Sequence, residues 1–244
     1  ANQASNRPII LEEDHSYECE GLQHKYTKTC LMFHRNAQTC HAYCTYCFRF
    51  NQFVGKDKFL EQDTVNLHKY LKQHKEISDI LITGGDPGTM KSDVFKQILE
   101  PLTEPDFKHI KNVRMGTKAL TYHPYRFLTD PDADSLLECF ENFISHGKHV
   151  SIMAHFSHFN EITRPTIEAV KRLRKVGCNI RTQAPIMRYI NDNPLVWSTM
   201  WEKQVQYGMI PYYMFVARDT GPQCYFEVPL AKALYIFSEA RKKM

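Results

Sequence analysis

Short apolar runs alternate with longer amphipathic stretches along most of this chain. The runs at 31–34, 77–83, 112–116, 149–154, 179–183 and 210–216 have the length of buried strands. Between and after them, 62–74, 92–102, 132–146, 163–176, 194–207 and 229–241 read as helices. In the third of these, Leu136, Leu137, Phe140 and Phe143 recur at spacings of three and four, which puts them on one helical face. Punctuation agrees. Ser92 and Thr163 are of the type that opens helices, Pro165 stands early in a helix, and Gly177 and Gly208 follow helix ends. Six strand–helix units in alternation predict an α/β domain of parallel strands with outer helices. Six units are too few for an eight-stranded barrel; they suit an open doubly wound sheet or a partial (βα)6 barrel. Residues 1–29 are polar and irregular, and are expected to form an N-terminal extension to a barrel domain at 30–244.

In either architecture ligands sit at the C-terminal strand ends, and polar clusters follow every predicted strand. Cys40, Cys44 and Cys47 come after the first and Gly84-Gly85-Asp86 after the second. Gly116, Thr117 and Lys118 come after the third, and His155, Ser157, His158, Asn160 and Glu161 after the fourth. Gln183, Arg188 and Asn191-Asp192-Asn193 come after the fifth, and Arg218, Asp219 and Gly221 after the sixth. Each has a plain alternative. The two glycines suit a tight turn as well as a close approach of backbone to ligand, and Asn193 before Pro194 suits a helix cap.

The cysteine loop is the most specific of these clusters. Its C-x3-C-x2-C spacing can hold three irons of a [4Fe-4S] cluster. Full protein ligation takes four cysteines and no fourth lies close in sequence, so one iron is left for a non-protein ligand. The competing reading is half a zinc site with His41 as a fourth donor; structural zinc sites usually pair two such units, and no second unit is present. The other cysteines, Cys19, Cys30, Cys139, Cys178 and Cys224, read mostly as small buried hydrophobes.

With Tyr46 just before the third cysteine, the loop resembles the signature of the radical S-adenosylmethionine (radical SAM) superfamily. From about Gly21 onward, the order of motifs is similar to that of lysine 2,3-aminomutase and its relatives. These motifs are the cysteine loop, Gly84-Gly85-Asp86, the stretch from His155 to Ile162, Gln183, Asn191-Asp192 and Pro211-Tyr212-Tyr213. The resemblance implies a cluster on Cys40, Cys44 and Cys47, with SAM closing the open iron. Tyr46, Gly84, Gly85, Asp86, Lys118, His155 and Gln183 would lie around SAM, and Arg49 would hold a substrate carboxylate. Reductive cleavage of SAM would give a 5′-deoxyadenosyl radical that takes hydrogen from an amino-acid-like substrate, ahead of amino-group migration. An electron donor such as flavodoxin or ferredoxin and a homo-oligomer go with that reading.

Two departures bear on substrate. The aminomutases hold pyridoxal phosphate (PLP) on a lysine in a glycine-rich segment beyond the barrel, and no such lysine segment is found up to Met244. Arg218 aligns where the lysine enzyme has an aspartate, while Asp219 restores the acid after a one-residue shift. A PLP-independent epimerase or dehydrogenase acting on a carboxylate-bearing substrate therefore stands as an alternative. So does a metal-stabilised binding module without catalysis. The net charge of +4 is low for a nucleic-acid binder, no apolar run is long enough to span a membrane, and the expected compartment is a reducing cytoplasm.

Overall fold

The computed structural model describes residues 21–47, 49, 64–217 and 223–244. Six parallel strands lie side by side in chain order: β2 (Thr29–Phe33), β3 (Asp79–Thr83), β4 (Asn112–Thr117), β5 (His149–His155), β6 (Asn179–Ile186) and β7 (Ile210–Val216). A seventh, β1 (Leu22–Tyr26), pairs antiparallel with β2 at the edge. A doubly wound sheet reverses its direction of growth at a switch point. This one never does, so every crossover carries the chain the same way and the sheet is a partial barrel.

Strand periodicity sorts the side chains onto two faces. Met32, Ile80, Ile82, Val113, Met115, Val150, Ile152 and Ile180 are buried, and together form the face under the helices. The alternate positions, including Leu31, Leu81, Arg114, Met153, Gln183 and Tyr213, line one cavity of about 470 Å³. Residues from β2 to β7 could share a cavity of that size only if the sheet curves around it, since flat neighbours stand about 4.8 Å apart. Parallel strands with both faces covered usually read as continuous apolar runs; here polar side chains such as Arg114 and Gln183 interrupt the inner face.

The helices are α1 (Thr64–Gln73), α2 (Ser92–Leu99), the single turn α3 (Ala119–Tyr122), α4 (Ala133–Ser145), α5 (Arg164–Lys175), α6 (Pro194–Gln206), the single turn α7 (Gln223–Phe226) and α8 (Leu230–Lys242). In α4 all four residues of the apolar stripe are buried, and Phe140 meets Phe95 of α2 edge-on at 5.5 Å. Burying each such side chain contributes about 1.5–3 kcal/mol.

Several boundaries differ from those expected. The predicted helix at 92–102 stops at Leu99, and Pro101 begins a separate 3-10 turn, as the restriction before proline requires. Ser92 is the first residue inside α2 and not its cap; Lys91 precedes it without a side-chain cap bond. The cap comes from another element: Asp132 accepts from the Ser92 N–H at 2.6 Å. Thr163 does cap α5, and Asn193 caps α6 by accepting from the Leu195 N–H at 2.8 Å. β1 falls within the stretch read as an extension. Its Leu-Gln-His-Lys-Tyr sequence carries little apolar alternation, as suits a polar edge strand. Cys30, Cys139 and Cys178 are buried as expected and Cys224 is exposed; Cys19 lies outside the described residues.

Asp132 also receives the Arg126 guanidinium, from Nη1 at 2.8 Å and Nη2 at 3.1 Å. Arg126 is 3% exposed and further donates to the Gly88 and Met90 carbonyls, so it clamps the turn after β3. Burial pulls the Asp132 carboxyl upward, but the Ser92 amide and Arg126 outweigh it and leave its pKa below the ordinary value. Stability from Asp132 is therefore complete above the unfolded carboxyl's pKa of about 4 and fades as pH falls through the lower folded value. Asp132→Asn should lower the chemical unfolding midpoint at neutral pH by the equivalent of about 1–2 kcal/mol, allowing for its partial exposure. The gap between variant and parent should close in acid.

Candidate functional site

The C-terminal rim begins where β2 ends. His34 turns the chain by accepting from the Asn36 N–H at 3.1 Å, and the Gln38 amide returns to the His34 carbonyl at 3.0 Å. The chain then passes directly beneath the turn after β3. Gly85 and Asp86 donate their N–H groups to the Ala37 carbonyl at 2.8 and 3.0 Å, and Asp86 also donates to Thr39 at 2.7 Å. A Cβ on Gly85 would fall 2.7 Å from the Ala37 oxygen and closer still to that of Thr39. Close backbone approach thus requires glycine here, whatever ligand the turn also meets.

Asp86 is 4% exposed. One of its carboxylate oxygens accepts from Gly88 N–H at 2.8 Å and from the Thr117 hydroxyl; the other accepts from Lys118 N–H at 2.8 Å. Burial raises its pKa against the pull of these donors. The resemblance would place this carboxylate around SAM. It borders the cavity, but its oxygens already bind the wall.

Cys40, Cys44 and Cys47 line the cavity together with Tyr46 and Arg49, and the Cys47 N–H closes a turn on the Cys44 carbonyl at 3.0 Å. Burial first, then the charges of Asp86, Cys47 and Cys44, pushes the Cys40 thiol up to about 12. Among the described residues, the one group that brings three donor atoms within 4.8 Å of one another is His24, His74 and Glu76. The three cysteine sulfurs do not form such a group. A cluster suits them, because it takes each thiolate on a different iron. His41 packs instead against the His123 ring at 4.9 Å. In the His24 group, His74 already bonds Glu76 at 2.8 Å, and His24 reaches the Tyr70 hydroxyl and the Thr27 carbonyl.

Opposite the cysteines, the β4 and β5 ends are tied together. Lys118, 7% exposed, donates from Nζ to Glu161 at 3.0 Å. The other Glu161 oxygen accepts from Ser157 N–H at 2.6 Å. The Ser157 hydroxyl lies 2.9 Å from the Tyr46 hydroxyl and 3.3 Å from His155 Nε2. Burial first, and then Lys118, holds the His155 pKa well below the usual imidazole value, so the ring is neutral at pH 7. Gln183 lines the same cavity opposite Tyr213. Arg49 places its guanidinium 4.6 Å from the Phe33 ring centre. Arg218 and Asp219 lie outside the described residues.

Other residues of the rim motifs serve the scaffold. His158 accepts from the Asn160 N–H at 3.1 Å, and Asp192 binds Lys232 at 2.6 Å. Asn191 is buried, and its amide donates to the Ser157 and Pro185 carbonyls at 2.9 and 3.0 Å. The sequence reading passed over the floor of the cavity, where Arg114 forms a two-pronged pair with Asp79. Period-two alternation back from Gly116 would have turned Arg114 inward.

No family model matches the chain. Over 225 residues it is 33% identical to a putative L-lysine 2,3-aminomutase of Aquifex aeolicus, covering 92% of this chain and 58% of that protein. It is 30% identical over 207 residues to the glutamate 2,3-aminomutase of Clostridioides difficile, covering 83% and 46%. With the L-lysine 2,3-aminomutase of Escherichia coli the identity is 27% over 229 residues, covering 94% and 63%. Through these relatives the chain is similar to the lysine 2,3-aminomutase-like family of the radical SAM superfamily. It spans less than two thirds of the length of these relatives.

Solved structures agree on the fold. Streptococcus suis SuiB bound to S-adenosylmethionine superposes with a TM-score of 0.60 at 14% identity, over 87% of this chain and 46% of that one. A radical SAM methyltransferase from Sphaerobacter thermophilus gives 0.59 at 12% identity, over 91% and 66%.

The glycine geometry yields a direct test. Gly85→Ala should displace the backbone of the cysteine loop and cost about 1–3 kcal/mol in overpacking. Gly147→Ala meets no atom within 4 Å and should cost only left-handed backbone strain, about 1 kcal/mol. Denaturant melts and proteolysis of the 39–47 loop would separate the two, with faster cleavage in the Gly85 variant alone.

Proposed function

We propose that this chain is the radical-generating barrel of an aminomutase-like enzyme. Cys40, Cys44 and Cys47 would hold a [4Fe-4S] cluster, and SAM would lie between that cluster and the β3, β5 and β6 ends. The observation that carries this reading is the company the cysteines keep. Three cysteines share one cavity with Gly84, Gly85, His155 and Gln183, and no fourth cysteine lines it among the described residues. When bound, the cluster and SAM together supply one-electron cleavage to methionine and a 5′-deoxyadenosyl radical.

The chain's own residues do the binding and the shielding. Gly84 and Gly85 expose backbone at the rim, where a ligand's polar groups can approach. His155, neutral, and the Gln183 amide offer hydrogen bonds without adding charge. The Arg49 guanidinium suits the carboxylate of an amino-acid-like substrate, which it can take through two parallel bonds. Tyr46, Tyr213, Phe215 and Phe226 close the walls with aromatic surface, keeping water from a reactive intermediate. Such a site operates in a reducing cytoplasm with a small electron carrier of the flavodoxin or ferredoxin class. In the described residues no helix is long and apolar enough to cross a membrane.

Lys118 is part of the cavity wall. Among the described residues it is the lysine that lines the cavity, and Glu161 and the His155 carbonyl hold its ammonium. It does not fit the part of an aldehyde-binding lysine.

Anaerobic reconstitution with iron and sulfide, followed by dithionite and SAM, should release 5′-deoxyadenosine; Cys44→Ala should release none. Failure of the parent protein to form it would favour the non-catalytic module. Absorbance then separates the two enzymatic readings. A Schiff-base band in the whole protein, lost on borohydride treatment, supports amino-group migration, and its absence supports the epimerase or dehydrogenase.

A further inference from the structure

Outside the cavity, Tyr122 at the end of α3 places its hydroxyl 3.4 Å from Cys44 Sγ, across 78 positions of sequence. Tyr122 is 40% exposed and does not line the cavity, so it meets the cysteine from the side facing solvent. Lys118 Nζ lies 4.6 Å from the centre of the Tyr122 ring, within cation–π range. A cation against the ring draws electron density from the phenol and strengthens its O–H as a donor. Lys118 is itself held by Glu161 at 3.0 Å, and its backbone N–H is held by Asp86 at 2.8 Å. The ring is thus fixed from behind by the wall that positions the rest of the site. The other phenol near Cys44 is Tyr46, which divides its hydroxyl between Cys44 and Ser157.

We propose that Tyr122 is a positioning and tuning residue for the iron–sulfur centre, donating its O–H to the Cys44 sulfur and stabilising the reduced state. This rests on the cluster assignment made above. In the free thiol either partner could donate. A cluster-bound Cys44 carries no proton, so the phenol must be the donor. Hydrogen bonds to the sulfurs are among the factors that set cluster potentials. Each added electron increases the negative charge on sulfur, which makes the bond stronger in the reduced state and raises the potential.

The test is an EPR-monitored redox titration of the reconstituted protein, with iron and sulfide content measured alongside. Tyr122→Phe keeps the ring, its packing and its contact with Lys118, and removes only the O–H. Loss of an outer-shell partner of a metal ligand typically costs at least tenfold. A tenfold weakening of the reduced state relative to the oxidised one corresponds to a midpoint about 59 mV more negative for one electron. Incorporating 3-fluorotyrosine at 122 makes the phenol a stronger donor and should move the midpoint the other way. Opposite shifts of the two variants uphold the proposal, because a purely structural role would not reverse sign with donor strength. Midpoints equal to that of the parent in both variants overturn it while leaving the cluster assignment intact. Should Tyr122→Phe take up no iron, the fluorotyrosine protein decides: an upward shift upholds the proposal and an unchanged midpoint overturns it. A parent protein that takes up no cluster overturns the assignment and the proposal together.

Discussion

The site depends on the hydrogen bonding of one buried aspartate. Asp86 lies where three pieces of chain meet: the cysteine loop after β2, the turn after β3 and the start of α3 after β4. Its N–H reaches the Ala37 and Thr39 carbonyls, and its carboxylate gathers Gly88, Thr117 and Lys118. A carboxylate this buried is expensive unless it is hydrogen-bonded; its donors come from the β3 turn and the end of β4, while the cysteine loop accepts from its N–H. The same desolvation that raises its pKa makes each bond strong. Asp86 therefore fixes the spacing between the loop that carries the cysteines and the rim that faces them.

The parts of this that were legible in the sequence are the ones governed by short-range pattern. All six parallel strands follow from apolar runs; in β2 to β6 the helix-facing residues are mostly apolar and buried, whereas β7 is half-buried or exposed along its length. The apolar stripe of α4 and the caps at Thr163 and Asn193 follow equally directly. What escaped notice depended on partners far away in sequence. Ser92 has the residue type of a cap, yet Asp132, forty positions on, does the capping. β1 is an edge strand whose polar sequence says nothing until β2 is beside it. Glu161 belonged to a motif read as one polar cluster, but its role is set by Lys118 from the neighbouring strand end.

The lumen shows the same division between local and distant causes. Its inner face alternates with the helix-facing one, so its composition could be read from period two alone. The pairing of charges within it could not. Asp79 and Arg114 sit on adjacent strands, and the Thr29 hydroxyl donates to Asp79 at 3.1 Å from the next. This arrangement neutralises the floor below the reactive level.

Cys44 then differs from the other two cysteines. One arm reaches it from β5, through His155, Ser157 and Tyr46; a second comes from β4, through Lys118 and Tyr122. Both arms return to Glu161, which holds the Lys118 ammonium and the Ser157 amide on its two oxygens. A single carboxylate outside the cysteine loop thereby sets the position of both phenols that touch one sulfur. Hydrogen bonds to sulfur influence a cluster's potential only as far as their geometry is held, and here that geometry is fixed by strands. The loop carries the three cysteines, while the barrel supplies the environment around them.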